Sequence, residues 1–116
     1  MLEGPTVRMT VHWLAPIGQA HRITAALNSM IEETRALHGC LGCTVSTRIT
    51  KQGIVRYVEE WKTEEDLRLR VRSSAFNSLA TLIECAPKPP RVQFTLPGGT
   101  RGLDFVEEVQ RMKSSA

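Results

Sequence analysis

Two cysteines, Cys40 and Cys43, stand two residues apart in the stretch HGCLGC, with His38 just upstream. Such a pair can clip a metal ion, cycle between dithiol and disulfide, or mark where a helix gives way to a strand. A redox pair of this spacing works from a helix N-terminus, where the dipole stabilises the thiolate. Here the order is reversed. Helical periodicity ends at about Leu37 and strand alternation begins after the cysteines. The nearby helix end is negative and raises a thiol pKa if it acts at all. A structural zinc site needs about four ligands, and beyond the pair only Cys85, His12, His21 and His38 remain. In a strand, positions 40 and 43 also point to opposite faces. The stretch therefore reads as structural. Cys43 is expected as a small buried residue, and Gly39 and Gly42 let the chain leave the helix and pack closely.

The other residues able to do chemistry are a histidine, several arginines and a few aromatics. His12 lies on the polar side of an alternating segment and is the best placed base. Arg56, Arg70 and Arg72 can stabilise an anion. Trp13, Tyr57, Trp61 and Phe76 can wall an aromatic pocket. Each also has a structural reading. Trp13 and Phe76 suit a core, Trp61 suits a core or a pocket, and the arginines suit Glu59, Glu60 or solvent.

The 116 residues are near the commonest size for one domain. The net charge is +3, with no single basic block. The densest cluster, Arg68, Arg70 and Arg72, follows Glu64, Glu65 and Asp66, an order that suits a helix macrodipole better than a nucleic-acid patch. The six aromatic residues are scattered, so a base-stacking platform is not expected. No apolar run approaches the roughly 18 residues of a membrane helix, and the N-terminus lacks a secretory apolar block. Three cysteines cannot all pair within one chain. These features predict a cytoplasmic protein in a reducing compartment.

The elements follow from periodicity. Residues 6–14 alternate, with Val7, Met9, Val11 and Trp13 on one side. Residues 18–37 carry a helical stripe of Ala20, Ile23, Leu27, Met30, Ile31 and Leu37, closed by Gly39. Alternation returns over 41–49, with Leu41, Cys43, Val45, Thr47 and Ile49 on one face. TKQG then makes a hairpin into 54–61. Thr63 with Asp66 starts a helix to about Arg72. A second helical piece holds Phe76, Leu79, Leu82 and Ile83, and the prolines after Cys85 end it. Residues 91–96 are a further strand. After PGG, residues 103–114 read as an extended start with Leu103 and Phe105, or as a short helix; the extended start is preferred here. The order β-α-β-β-α-β is ferredoxin-like, an α+β antiparallel sheet with helices on one face. Residues 1–97 form that domain. Residues 98–116 are an extension expected to lay Leu103 and Phe105 on a neighbouring subunit. The uncovered sheet face is expected to be apolar enough to be buried in a homodimer.

HGCLGCTVSTRI resembles the entrance to the second strand in antibiotic-biosynthesis monooxygenases, and VEEWKTEEDLRLRVRSSAFNSL resembles that family's next signature. There a strand ends in Glu-x-Trp, a helix follows, and a serine and phenylalanine open a short second helix. The matching residues are Glu59 or Glu60, Trp61, Leu67, Ser73 and Phe76. The resemblance covers roughly residues 6–96. It implies a dimeric α/β barrel that oxidises quinol-like or polyketide aromatics with dioxygen and no cofactor. Where many members carry histidines, this chain has Arg70 and Ala75, so haem ligation on that helix is not expected.

That chemistry asks the protein to hold an electron-rich phenolate, exclude water and admit oxygen. For that chemistry the residues of this chain offer a catalytic set of His12, Trp61 and Arg70, and a substrate-binding set of Trp13, Arg56, Tyr57, Arg72 and Phe76. No metal and no cofactor are expected, nor a nucleic-acid or membrane partner. The alternative is a non-catalytic dimeric module of the same fold that binds a small apolar ligand or serves in assembly.

Overall fold

A computed structural model describes residues 7–114, with side chains to residue 112. Residue 6, where alternation begins in the sequence, lies outside the described residues. The order is β1 (Val7–Ala15), α1 (Ile17–Arg35), β2 (Cys40–Ile49), β3 (Gly53–Trp61), α2 (Glu64–Arg72), α3 (Phe76–Glu84), β4 (Arg91–Leu96), β5 (Gly99–Arg101) and α4 (Asp104–Ser114). The strands form one antiparallel sheet in the order β2-β3-β1-β4-β5. The first four strands are the ferredoxin-like arrangement, and β5 is an added edge. No helix among the described residues is long and apolar enough to cross a membrane.

Strand alternation decides which face is covered. Val7, Met9, Val11 and Trp13 of β1 are buried with Val55, Tyr57 and Trp61 of β3 and Phe94 of β4. Leu27, Leu67, Val71 and Leu79 close over them from the helices. Helix α1 lies close because β3 begins with a glycine: a methyl group on Gly53 would sit 2.2 Å from the Cβ of Ala20. Gly39 ends the α1 turn at φ +82°, a left-handed backbone that glycine adopts without strain. Its carbonyl accepts from the Lys62 amide at 2.8 Å, which ties the start of β2 to the end of β3. Thr63 caps α2 by accepting from the Asp66 amide at 3.0 Å.

The structure corrects three sequence expectations. The face assigned to Leu41, Cys43 and Val45 is broken by a register shift between Cys40 and Gly42, so Leu41 is exposed while Cys43 is buried. Residues 103–114 do not begin extended. The short strand β5 ends at Arg101, and α4 then places Phe105 and Val109, one turn apart, in the core of their own chain. Phe105 packs on Phe94 with ring centroids 4.7 Å apart, while Leu103 stays exposed. Arg68 and Arg101 both stand over the Phe105 ring and both bond Glu108, which fastens α4 to α2 and β5.

The third correction concerns the uncovered sheet face. Its rungs run Gly42–Glu60–Arg8–Thr95, Thr44–Val58–Thr10–Gln93, Ser46–Arg56–His12–Arg91, and Arg48–Ile54–Leu14. Only Val58, Ile54 and Leu14 are apolar side chains, so this face is chiefly polar. The single-residue alternation that makes one face apolar puts arginine, threonine and histidine on the other.

Candidate functional site

Between sheet and helices lies a buried polar network built from β3 and α2. Glu59 sits on the apolar face of β3, between Tyr57 and Trp61, and is fully buried. A carboxylate there is tolerable only if its oxygens are well supplied with donors. Tyr57 donates its hydroxyl to Oε2 at 2.5 Å, and Trp61 donates Nε1–H to Oε1 at 3.1 Å. Arg70, reaching down from α2, donates Nη2–H to Oε2 at 2.9 Å and Nε–H to both oxygens at 3.3 Å. Cys43 donates its thiol to the Tyr57 hydroxyl at 3.2 Å.

The network sets the protonation of its members. Burial, with the adjacent Glu59 next in weight, pushes the Tyr57 phenol far above its ordinary range, so it remains a donor. Burial also pushes the Cys43 thiol up to about 11. Cys40 is raised as well, by burial first. Burial opposes the charge on Arg70, but the Glu59 carboxylate more than offsets it and its pKa is raised. Cys43 belongs to a hydrogen-bonded core, all three cysteines are free thiols, and no group of three or more possible metal ligands occurs among the described residues.

Arg70 has a second surrounding. It lines a cavity of about 70 Å³ with Met30, Glu33 and Thr34 of α1, Leu37, and Ala75 and Ser78 at the start of α3. Arg70 Nη2 also reaches Thr34 Oγ1 at 3.5 Å, and its guanidinium stands 5.6 Å from the centre of the Phe76 ring. The cavity thus has one buried cation, two hydroxyls, three apolar side chains and one carboxylate, Glu33. That set can hold an oxygen anion at Arg70 and accept a proton at Glu33.

The residues singled out from the sequence do not share one site. Tyr57, Trp61 and Arg70 come together, with Glu59 as their hub. Tyr57 and Trp61 are fully buried and act through Glu59 rather than as pocket walls. Trp13 is core and donates Nε1–H to the Leu82 carbonyl at 3.4 Å. Phe76 is core, with one edge on a separate cleft between α3 and α4. Arg72 is at the surface beside Glu65, at 3.4 Å. His12 and Arg56 are cross-strand neighbours on the opposite sheet face, so a base at His12 cannot serve a substrate at Arg70. Strand parity explains the split: positions 12 and 56 have the opposite parity to 13, 57 and 61 on their strands. Sequence reading missed Glu33, Thr34 and Ser78, which converge only once α1 and α3 pack. Glu59 carried a legible signal, an acid on the apolar side of an alternating strand.

The comparisons with known proteins agree with this fold. No curated protein matches the chain. Among solved structures, a conserved protein from Methanosarcina mazei is 25% identical, with a TM-score of 0.67, over 79% of this chain and 92% of that one. The Rv0793 protein of Mycobacterium tuberculosis is 23% identical, with a TM-score of 0.63, over 79% and 94% of the two chains. A monooxygenase from the ActVA-Orf6 gene of Streptomyces coelicolor, solved with nanaomycin D, is 18% identical, with a TM-score of 0.59, over 85% and 89%. The family profile described as antibiotic biosynthesis monooxygenase matches residues 6–81. That match spans the strands and helices that build the Glu59–Arg70 network, and the chain belongs to the antibiotic biosynthesis monooxygenase family.

Proposed function

We propose that this chain is a cofactor-independent monooxygenase that oxidises a phenolic, quinol-like aromatic at the cavity beside Arg70. The observation that carries this reading is a nearly fully buried guanidinium forming one wall of a cavity among α1, α2 and α3. A phenol becomes an electron donor to dioxygen when it loses its proton. Arg70 holds the resulting oxyanion, and Glu33 at the cavity wall accepts the proton. One atom of dioxygen enters an unsubstituted ring carbon ortho or para to that oxygen. The other leaves as water with the two hydrogens the substrate gives up, so phenol and dioxygen balance to quinone and water. Met30 and Leu37 supply the apolar surroundings that keep bulk water from the anion.

The size of the cavity defines the binding mode. About 70 Å³ holds roughly two waters, so it takes the hydroxyl-bearing edge of a ring, with the rest at the mouth between α1 and α3. The relative solved with nanaomycin D lends support to an aromatic substrate class. In this reading the protein works as a homodimer in the cytoplasm, paired through its uncovered sheet face. Light scattering on dilute protein tests the pairing.

Oxygen uptake with a panel of hydroquinones and naphthols tests the chemistry. Wild type consumes oxygen above the rate in buffer, and Glu33→Gln, a surface change that leaves Glu59 alone, lowers kcat by about 10²-fold or more. Ala75→Leu, which fills the cavity, abolishes uptake. No substrate-dependent uptake by wild type favours the second reading, a ligand-binding module without catalysis. One observation speaks for that reading: Glu59 already engages both Nε and Nη2 of Arg70.

A further inference from the structure

Arg70 brings more donors to its cavity than its protein partners use. A guanidinium carries five N–H bonds in a fixed planar fork. Glu59 takes the edge formed by Nε and Nη2, and Nη2 also reaches Thr34 Oγ1 at 3.5 Å. Nη1 makes no hydrogen bond among the described residues, although the side chain is only 2% exposed. Charged donors in so dry a place are costly unless an oxygen meets them.

The other walls differ in what they still offer. Thr34 donates its hydroxyl to the Met30 carbonyl at 2.8 Å, so toward the cavity it can only accept. Ser78, in the first turn of α3, makes no side-chain hydrogen bond among the described residues, so its hydroxyl is free to donate and to accept. The cavity, about 70 Å³, has room for roughly two waters. That is room for two oxygens side by side, with the ring that carries them at the mouth.

The geometry points to a substrate whose ring carries two oxygens on adjacent carbons, an ortho-dihydroxyarene of the catechol class, with one oxygen on Arg70 Nη1 and the other on the Ser78 hydroxyl. This rests on the reading of the cavity as the place where the phenol binds, and it makes Ser78 the residue that selects the second oxygen. The class also suits the chemistry. A hydroxyl beside a phenolate oxygen donates to it and eases the first proton loss, and Glu33 accepts that proton. Dioxygen then delivers one atom to the unsubstituted carbon para to the oxygen held by Arg70. There a C–O bond forms, the O–O bond and a ring C–H bond break, and the ring gives up four electrons. Catechol and dioxygen thus become a hydroxy-1,4-quinone and water. An isomer with its hydroxyls meta or para to one another can place only one oxygen in a cavity of this size.

Anaerobic calorimetry separates binding from oxidation. Phenol, catechol, resorcinol and hydroquinone are titrated into the full chain without dioxygen. Catechol is expected to bind about tenfold tighter than each of the other three, the difference that one added hydrogen bond in a dry site makes. Ser78→Ala, a change at an exposed position that keeps the fold, is expected to shrink that preference to about threefold or less. Ala75→Leu, which fills the cavity, is expected to abolish binding of all four. Catechol binding no tighter than resorcinol, a full preference retained by Ser78→Ala, or catechol binding retained by Ala75→Leu overturns the proposal. Oxygen uptake in air tests the oxidation separately. Preferential binding of catechol without uptake sinks the oxidation and supports the two-oxygen site, whereas uptake with naphthols beside indifferent binding of catechol sinks the two-oxygen site alone.

Discussion

Glu59 is the residue on which the interior turns. Its carboxylate receives the donors of Tyr57, Trp61 and Arg70, so removing either charge strands the other in a nearly water-free site. Glu59→Ala and Arg70→Ala are each expected to cost about 3–5 kcal/mol in urea unfolding. Losses under about 1 kcal/mol would mean that the pair is solvated and the network weak. The thiols provide a second check at this scale. With its pKa pushed up to about 11 and its side chain buried, Cys43 stays unmodified by a thiol reagent at pH 8, while exposed Cys85 reacts at once. Mass mapping of the modified sites reads this directly. Half of the site was legible at this scale. Tyr57, Trp61 and Arg70 could be chosen from residue type and family motif. His12 and Arg56 could not be excluded until strand parity was set against the face the helices cover.

At the scale of elements, the sequence made most of the architecture legible, because period-2 and period-3.6 patterns survive wherever one face is buried. β1, α1, β3, α2 and α3 were all placed within a few residues. The patterns failed where a bulge shifted β2 at Leu41, and where α4 is too short for its stripe to outweigh an alternating pair. What alternation cannot show is contact between elements. Gly53 is an example: its lack of a side chain lets α1 approach β3 at Ala20. Gly53→Ala forces the helix off the sheet and is expected to cost about 1–3 kcal/mol by thermal unfolding. Gly42→Ala, where an added methyl meets only a Glu60 side-chain oxygen at 3.6 Å, is expected to cost less.

Over the whole molecule, the C-terminal segment is an integral layer of its own subunit. Truncation after Gly98 exposes Phe94 and removes Phe105 and Val109, two fully buried side chains worth about 1.5–3 kcal/mol each. The shortened chain is expected to melt well below the full chain, and equal melting temperatures would show that α4 contributes no packing. The docking of α4 is also pH-dependent in a defined sense. Hydrogen bonds from Arg101 hold Asp104 and Glu108 below their ordinary values of 3.8 and 4.5. Groups with depressed pKa stabilise the fold above the unfolded value and lose that contribution as pH falls through the folded one. Both side chains are at the surface, so the effect is modest and salt-sensitive. Protection of the α4 amides against exchange, relative to their intrinsic rates, should fall below about pH 4.5 before that of the β1 amides does.

In the proposed reaction, the cavity beside Arg70 is the place where one oxygen atom enters an aromatic ring. Turnover of a naphthol under ¹⁸O-labelled dioxygen tests it most directly, with mass spectrometry of the product. One labelled atom is expected in the quinone, the second in water, and no labelled quinone from Ala75→Leu. An unlabelled quinone, or equal labelled product from the variant with the filled cavity, would contradict it.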